Sequence, residues 1–258
     1  AFFLRERLRQ QLAGLPEPSR VYAAASDFEP DGSLKPSLNP RPIHRLNRGD
    51  ITQPREEVGP GALTCIAGLP GRFSVPEGSE EGARRAALAQ WLAHRDNPLT
   101  WRSIVNRIWQ YHFGRGIAGT PNDLGKLGDK PTHPELLDWL AGELIRGGWR
   151  LKPIHRLLMT SQTYRQSSAG SEVKAQRDPN NSLLSRHVPT RLEAEAIRDT
   201  LLWITGALDT TPFGPGTLDE SSRRRSIYFT VKRSQLIPAM QVFDAPEPLV
   251  SQSTRPAT

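Results

Sequence analysis

Proline and glycine determine where this chain can be helical, because both residues interrupt regular helices. The chain has 23 prolines and 21 glycines, which recur every few residues from Pro16 to Pro76 but lie mostly between periodic segments from residue 79 to residue 206. In those segments apolar residues return at steps of three and four, which is typical of amphipathic helices. The sequence therefore predicts a mainly α fold. We expect a single helical domain of about five core helices at 77–258, after a Pro/Gly-rich connector at 1–76 with an N-terminal helical stub.

Local signals mark the ends of the predicted helices. Asn97 is a good N-cap with Pro98 at the first helical position, and the apolar face that follows ends at Gly114. Thr132–Glu135 and Thr190–Glu193 match the capping box, in which a hydroxyl and a carboxylate each satisfy a free backbone amide. These patterns predict helices that begin at each box. Two further helices are expected from about Ser79 and Pro153, which brings the total to about five.

Two segments favour strands. Ile43–Asp50 carries the apolar residues Ile43 and Leu46 before the turn residues Asn-Arg-Gly-Asp, which predicts a short strand and a turn. Ser226–Lys232 is rich in β-formers and also alternates. We expect these segments to form a minor strand element beside the helices.

Composition excludes several classes of protein. The mean hydropathy of −0.52 and the lack of a long apolar run argue against a membrane-spanning helix. One cysteine, Cys65, excludes a disulfide framework, a cysteine-based zinc site and a Cys-x-x-Cys-His haem attachment within these residues, so no cofactor is expected within the chain. The net charge of +7 comes from basic residues scattered among acids, which argues against nucleic-acid binding.

The start lacks both an initiator Met and a signal peptide, so we expect a piece of a longer protein.

The long loop Gly114–Pro131 is the first candidate functional region. It holds five glycines and two prolines, and long ordered loops in compact domains often carry function. Glycine loses much conformational freedom on ordering, so the loop needs polar contacts to hold it. We expect those contacts from Asn106, Arg107, His133 and Arg198, around the most plausible ligand pocket.

Glu195 and Asp199 stand four residues apart on a predicted helix, which places both carboxylates on one face with Arg191 and Arg198 nearby. The favoured interpretation is a salt-bridge network. A ligand-gripping polar cluster is the first alternative, and a metal or acid/base site is the second. Because two carboxylates are an incomplete coordination set, that last alternative needs a third group such as Asp123. No metal site is assigned.

Three histidines, His112, His133 and His155, fall at predicted helix ends next to the long loop. Imidazole is a common metal ligand and proton shuttle, but none of the three has a metal-binding spacing such as His-x-x-x-His. The favoured interpretation is structural, with each ring hydrogen-bonded between loop and helix. Catalytic residues stay unassigned.

Several ordered motifs resemble one known family. They are Asn106–Gly116, Thr120–Gly125, Pro131–Ala141, Gly148-Trp149, Lys152–Arg156, Asp178–Asn181, Arg191–Asp199, Val231–Ser234 and Phe243–Pro246. Together they are similar to the domain of unknown function 1553, over roughly residues 43 to 258. This family occurs towards the C-terminus of large exported proteins of planctomycetes and related bacteria, often downstream of a c-type cytochrome-like domain.

The resemblance implies context and no chemistry, because the family has no established activity. It implies export to the periplasm or cell envelope, other domains of the same polypeptide as partners, and haem in an upstream domain that these residues lack. It also implies that the helical domain continues beyond Thr258. Our first hypothesis is a binding or docking module for an acidic or carbohydrate ligand, or for a neighbouring haem-bearing domain. The alternative is an acid/base or metal-dependent enzyme acting on an extracellular polymer through Asp123, His133, His155, Glu195 and Asp199.

Overall fold

A computed structural model describes residues 41–76, 78–232 and 235–243, together with Glu6, Gly14, Glu29, Pro30, Gly32 and Lys35. The predicted N-terminal stub and the motifs at 231–234 and 243–246 lie wholly or partly outside these residues. The chain divides into two compact units, residues 1–94 and 95–258. The predicted domain boundary between residues 76 and 77 stays a prediction.

In the described part of the first unit, a hairpin is followed by a helix. Strands β1 (His44–Asn47) and β2 (Asp50–Glu57) pair in antiparallel fashion around Arg48 and Gly49, which both have positive φ, as tight hairpin turns require. The predicted strand and turn at 43–50 are therefore confirmed. Helix α1 (Glu81–Leu92) follows where the apolar spacing predicts it.

The second unit is helical. Its helices are α2 (Pro98–Phe113), α3 (Pro134–Arg146), α4 (Leu151–Met159), α5 (Glu172–Arg177), α6 (Ala194–Ile204) and α7 (Pro238–Val242), with a 3₁₀ turn at Ser226–Tyr228. The prediction of a mainly α fold with a minor strand element is confirmed. Among the residues that the structure describes, no helix is long and apolar enough to cross a bilayer.

The main core of this unit forms where α2, α3 and α4 pack together. Val105 of α2 and Leu144 of α3 are completely buried, and Ile154 of α4 joins the same cluster. Ile117 reaches this core from the long loop and is 2% exposed. The loop is therefore attached to the hydrophobic core as well as to the surface of α2. A smaller cluster around Ala194, Ile237 and Met240 joins α6 to α7.

The start and end of α2 agree with the sequence signals. The Asn97 side chain accepts a hydrogen bond from the Leu99 amide at 3.2 Å, and Pro98 occupies the first turn. Gly114 ends the helix with a φ of 80°, in the left-handed region that glycine adopts without steric cost.

Both predicted capping boxes are wrong. Helix α3 begins at Pro134 with His133 as N-cap, and Thr132 instead donates its hydroxyl hydrogen bond to the Ile117 carbonyl at 3.3 Å. The reason is Pro134, because the residue before a proline is disfavoured in helical conformation. Helix α6 begins only at Ala194, after a non-helical and exposed segment from residue 190 to residue 193.

The predicted strand at Ser226–Lys232 is also wrong. Ser226–Tyr228 is a 3₁₀ turn, and Phe229 makes only an isolated bridge to Thr217. A strand needs a neighbouring strand for its backbone groups. Here the Ser226 amide is used by the side chain of Asp199, at 2.8 Å.

Candidate functional site

Asn106 connects the middle of α2 to the long loop. Its side chain is completely buried; Nδ2 donates to the Ala118 carbonyl at 3.0 Å, and Oδ1 accepts from the Ala118 amide at 2.9 Å. The side-chain amide thus satisfies both backbone groups of one loop residue, as a neighbouring strand would. A buried polar side chain in an apolar helix needs such partners.

Gly116 is required by this contact. A Cβ at that position would lie 2.5 Å from the Ala118 carbonyl oxygen and 2.7 Å from Asn106 Nδ2. Any side chain at residue 116 would therefore displace either the loop backbone or the buried amide.

The outer part of the loop is held by weaker, exposed contacts. Arg107 donates to Asn122 Oδ1, and the Thr120 hydroxyl donates to the Asp123 carbonyl at 2.9 Å. The Asp123 carboxylate accepts from the Gly125 amide at 2.8 Å and so stabilises a local turn. Arg198, which we expected to hold this loop, has all its described hydrogen bonds elsewhere, on residues 222–226.

A cavity of about 280 Å³ lies where the end of α2, the start of the loop and the start of α3 meet the segment 180–188. Its apolar wall includes Trp109 and Phe113, whose rings stack with centroids 4.0 Å apart. The polar lining residues are Arg115, Thr132, His133, Asn180, Asn181 and Ser182. None of the described residues that line the cavity is acidic.

The Asp178–Asn181 motif shapes one side of this cavity. The Asp178 carboxylate accepts hydrogen bonds from the amides of Ser182, at 2.8 Å, and Leu183, at 2.7 Å. Asn181, with a φ of 50°, donates from Nδ2 to the Arg186 carbonyl at 2.9 Å. These contacts form a tight turn that places Asn180, Asn181 and Ser182 on the cavity lining.

His112 and His155 meet beside this region. The two facing atoms, His112 Nε2 and His155 Nδ1, are 2.8 Å apart in a half-buried setting. Burial, and then the charge of His155, hold the pKa of His112 below its ordinary value. His133 is not part of this pair; its Nδ1 lies 3.0 Å from the Thr132 hydroxyl, and the residue lines the cavity.

The Asp199 carboxylate of α6 is held by the segment 225–226. Asp199 Oδ1 accepts from the Ser226 amide and hydroxyl, at 2.8 and 2.7 Å, and Oδ2 lies 3.4 Å from Arg225 Nε. Glu195 is half-buried one turn earlier. Arg191 precedes the helix and is exposed. Within the described ranges, no group of three His, Cys, Asp or Glu side chains is placed to hold a metal ion.

The cavity adds residues that the sequence analysis did not select. Trp109, Phe113, Arg115, Asn180 and Asn181 line it, and of the predicted site residues only His133 does. The Asp-Pro-Asn-Asn run and the Gly-Arg-Gly run at 114–116 were the available signals, but neither indicates a cavity until the fold brings the two segments together.

Comparisons with known proteins agree with the resemblance noted in the sequence. Neither the curated proteins nor the solved structures contain a significant match to this chain. The sequence model of one family, PSD1, described as a protein of unknown function (DUF1553), matches residues 84–258. The match begins later than the residue 43 that we expected, but it includes helices α2 to α7 and the cavity. This chain therefore belongs to the DUF1553 family.

Proposed function

We propose that this chain is a ligand-binding module whose cavity holds a small acidic ligand of carbohydrate type. The observation that carries the proposal is the combination of a stacked aromatic wall with basic side chains on one cavity. Trp109 and Phe113 supply the wall, and Arg115 and His133 supply the basic groups.

The charges of the lining favour an anion. Arg115 has an exposed ion pair with Asp129, at the long distance of 3.5 Å, and exposed pairs contribute little to stability. Its guanidinium can therefore change partners at small cost, and a ligand carboxylate would give it a stronger charge-assisted hydrogen bond. No lining carboxylate opposes a bound anion among the described residues.

The remaining lining groups suit a sugar. Asn180 and Ser182 provide amide and hydroxyl groups of the kind that bind ligand hydroxyls, and the apolar face of a sugar ring packs against aromatic rings. The volume of about 280 Å³ lies at the lower end of small-molecule pockets. We therefore propose a uronic acid, which combines a ring, hydroxyl groups and one carboxylate, as the simplest ligand of this class.

The enzymatic alternative receives less support from the geometry. Of Asp123, His133, His155, Glu195 and Asp199, only His133 lines the cavity, and acid/base groups must reach one substrate. Asp123 and Asp199 are engaged by the Gly125 amide and by Ser226.

Docking of another domain of the same polypeptide is a second candidate. Its support is the surface of α6, where Leu201, Trp203 and Ile204 are 60%, 68% and 73% exposed. Export to the cell envelope and a haem-bearing neighbour are proposals that depend on the family resemblance.

Calorimetric titration with D-glucuronate tests the binding proposal. D-Glucose, which has the sugar ring without the carboxylate, and acetate, which has the carboxylate without the ring, are the comparison ligands. We expect glucuronate to bind more tightly than either. Arg115→Gln should weaken glucuronate binding by about tenfold or more, because a hydrogen bond to a charged group contributes ~1.5–3 kcal/mol. Lys126→Gln, which removes an exposed loop cation that does not line the cavity, is the matched control. Equal losses in both variants, or no binding by the unmodified chain, would contradict the proposal.

A further inference from the structure

The pair of His112 and His155 is a proton-sensitive contact between two helices. His112 lies in the last turn of α2 and His155 lies in α4, with 2.8 Å between Nε2 and Nδ1. A hydrogen bond between two ring nitrogens needs one N–H and one lone pair. When both rings are protonated, two N–H groups and two positive charges face each other, and the bond is lost.

Tyr164 joins this pair to the wall of the cavity. Its ring contacts His112 and Phe113 edge to face, with centroids 5.6 and 5.7 Å apart, and Phe113 lines the cavity. On its other side the Tyr164 ring contacts His187, at 5.2 Å. His187 lies between Leu184 and Val188, which also line the cavity. One aromatic ring therefore connects the histidine pair to residues of both cavity walls.

The described ring contacts of the pair come from α4, from the turn after it and from the segment 180–188. His112 meets His155 from α4 and Tyr164 from the turn after α4, and His187 lies beyond Tyr164 on the segment 180–188. The two causes of the shift at His112 are burial and the charge of His155, and no carboxylate contributes to it.

We propose that the His112–His155 pair holds the ligand cavity closed at neutral pH, and that protonation of both rings at acidic pH loosens its Phe113 and Leu184–Val188 walls and releases the ligand. The release step rests on the proposed ligand-binding function. The loosening of the walls does not depend on any ligand.

The direction of the effect follows from the pKa of His112. Because its pKa is lowered in the folded state, the closed form resists a proton that an opened form accepts. The stabilisation by the pair is therefore present above the ordinary histidine pKa of about 6.5. It is lost as the pH falls from there through the lowered folded value.

Hydrogen exchange of the unliganded full chain, corrected for intrinsic rates, tests this proposal between pH 7.5 and pH 5. We expect protection of residues 160–188 to fall severalfold below about pH 6.5, while protection of α3 changes less. His155→Gln, which can still form a hydrogen bond but cannot take a charge, should remove most of this response. His44→Gln in the hairpin, where His44 Nδ1 lies 3.0 Å from the Arg55 carbonyl oxygen, is the matched control and should keep the response.

Two results would overturn the proposal: pH-independent protection of residues 160–188, or an unchanged response in His155→Gln. If that variant does not fold, NMR titration of the unmodified chain decides. Coupled titration of the two rings, with His112 below its ordinary pKa, supports the proposal, and independent ordinary titration overturns it.

Glucuronate titrations at pH 7.5 and 5.5 separate the two proposals. Absence of binding at both pH values contradicts the ligand, and equal binding at both contradicts only the release step.

Discussion

Asn106 is the residue on which the order of the long loop most depends. Replacing it with Leu would leave the Ala118 amide and carbonyl without partners in a buried setting. Each unsatisfied buried group costs about 1–3 kcal/mol, so we expect Asn106→Leu to lower the free energy of unfolding by about 2–4 kcal/mol. Chemical denaturation measures this change, and proteolysis measures the exposure of residues 114–131.

Arg107→Ala is the comparison for this substitution. The sequence favoured Arg107 as a main support of the loop, but its contact with Asn122 is exposed and such contacts contribute about 1 kcal/mol or less. We therefore expect a smaller loss of stability than in Asn106→Leu. A larger effect from Arg107→Ala would show that the outer loop contacts dominate.

At the scale of elements, helix α6 holds the segment 222–229 through side chains where a sheet would use backbone pairing. Arg198 donates to the Arg224 carbonyl at 3.0 Å and lies 4.7 Å from the centroid of the Phe229 ring, and Asp199 accepts from the buried Ser226. The sequence favoured a salt-bridge network for the charged face of α6; Arg198 and Asp199 approach to 3.8 Å, but both also hold the segment 222–226 by hydrogen bonds. This arrangement explains why residues 226–232 do not need a neighbouring strand.

Asp199→Ala should therefore loosen this segment. The substitution leaves the Ser226 amide and hydroxyl without an acceptor, and this residue is only 3% exposed. We therefore expect the free energy of unfolding to fall by about 1–3 kcal/mol. Asp199→Asn retains one acceptor and should lose less. Asp219→Ala, which removes an exposed turn contact with Ser221, is the control. It should change the free energy of unfolding by no more than about 0.5 kcal/mol. Equal effects at residues 199 and 219, measured by thermal unfolding, would contradict this account of α6.

At the scale of the whole molecule, the exposed apolar side chains of α6 form a surface feature with no described function. Leu201, Trp203 and Ile204 are all exposed in the last turn of α6, and exposed apolar surface often marks an interaction site. We expect an apolar dye to bind the chain more strongly than a compact control protein does. Trp203→Glu should reduce that binding with little loss of stability, because the side chain is 68% exposed. The same substitution at Trp109, which is 5% exposed, should instead unfold the core.

Dye binding that does not respond to Trp203→Glu would place the apolar surface elsewhere. It would also remove the support for docking through α6.

The sequence by itself determined the helical class, the family and several helix ends. Asn97 and Gly114 mark the limits of α2 correctly because capping depends on contacts within about one turn. The hairpin at 44–57 is predicted in part for the same reason, since its turn is local. The capping box at 132–135 failed although it is also local, because Pro134 decides the conformation of the residue before it.

Tertiary structure decided the rest, because it depends on groups far apart in the chain. Ser226–Lys232 has the composition of a strand, but strand formation needs a partner strand, and Asp199 takes the Ser226 amide instead. The cavity joins α2, the loop and residues 180–188, so its lining follows no spacing in the sequence. His112 and His155 are 43 residues apart and meet only because α2 and α4 pack against one core. Sequence patterns identify residues able to do chemistry, whereas packing selects which of them share one site.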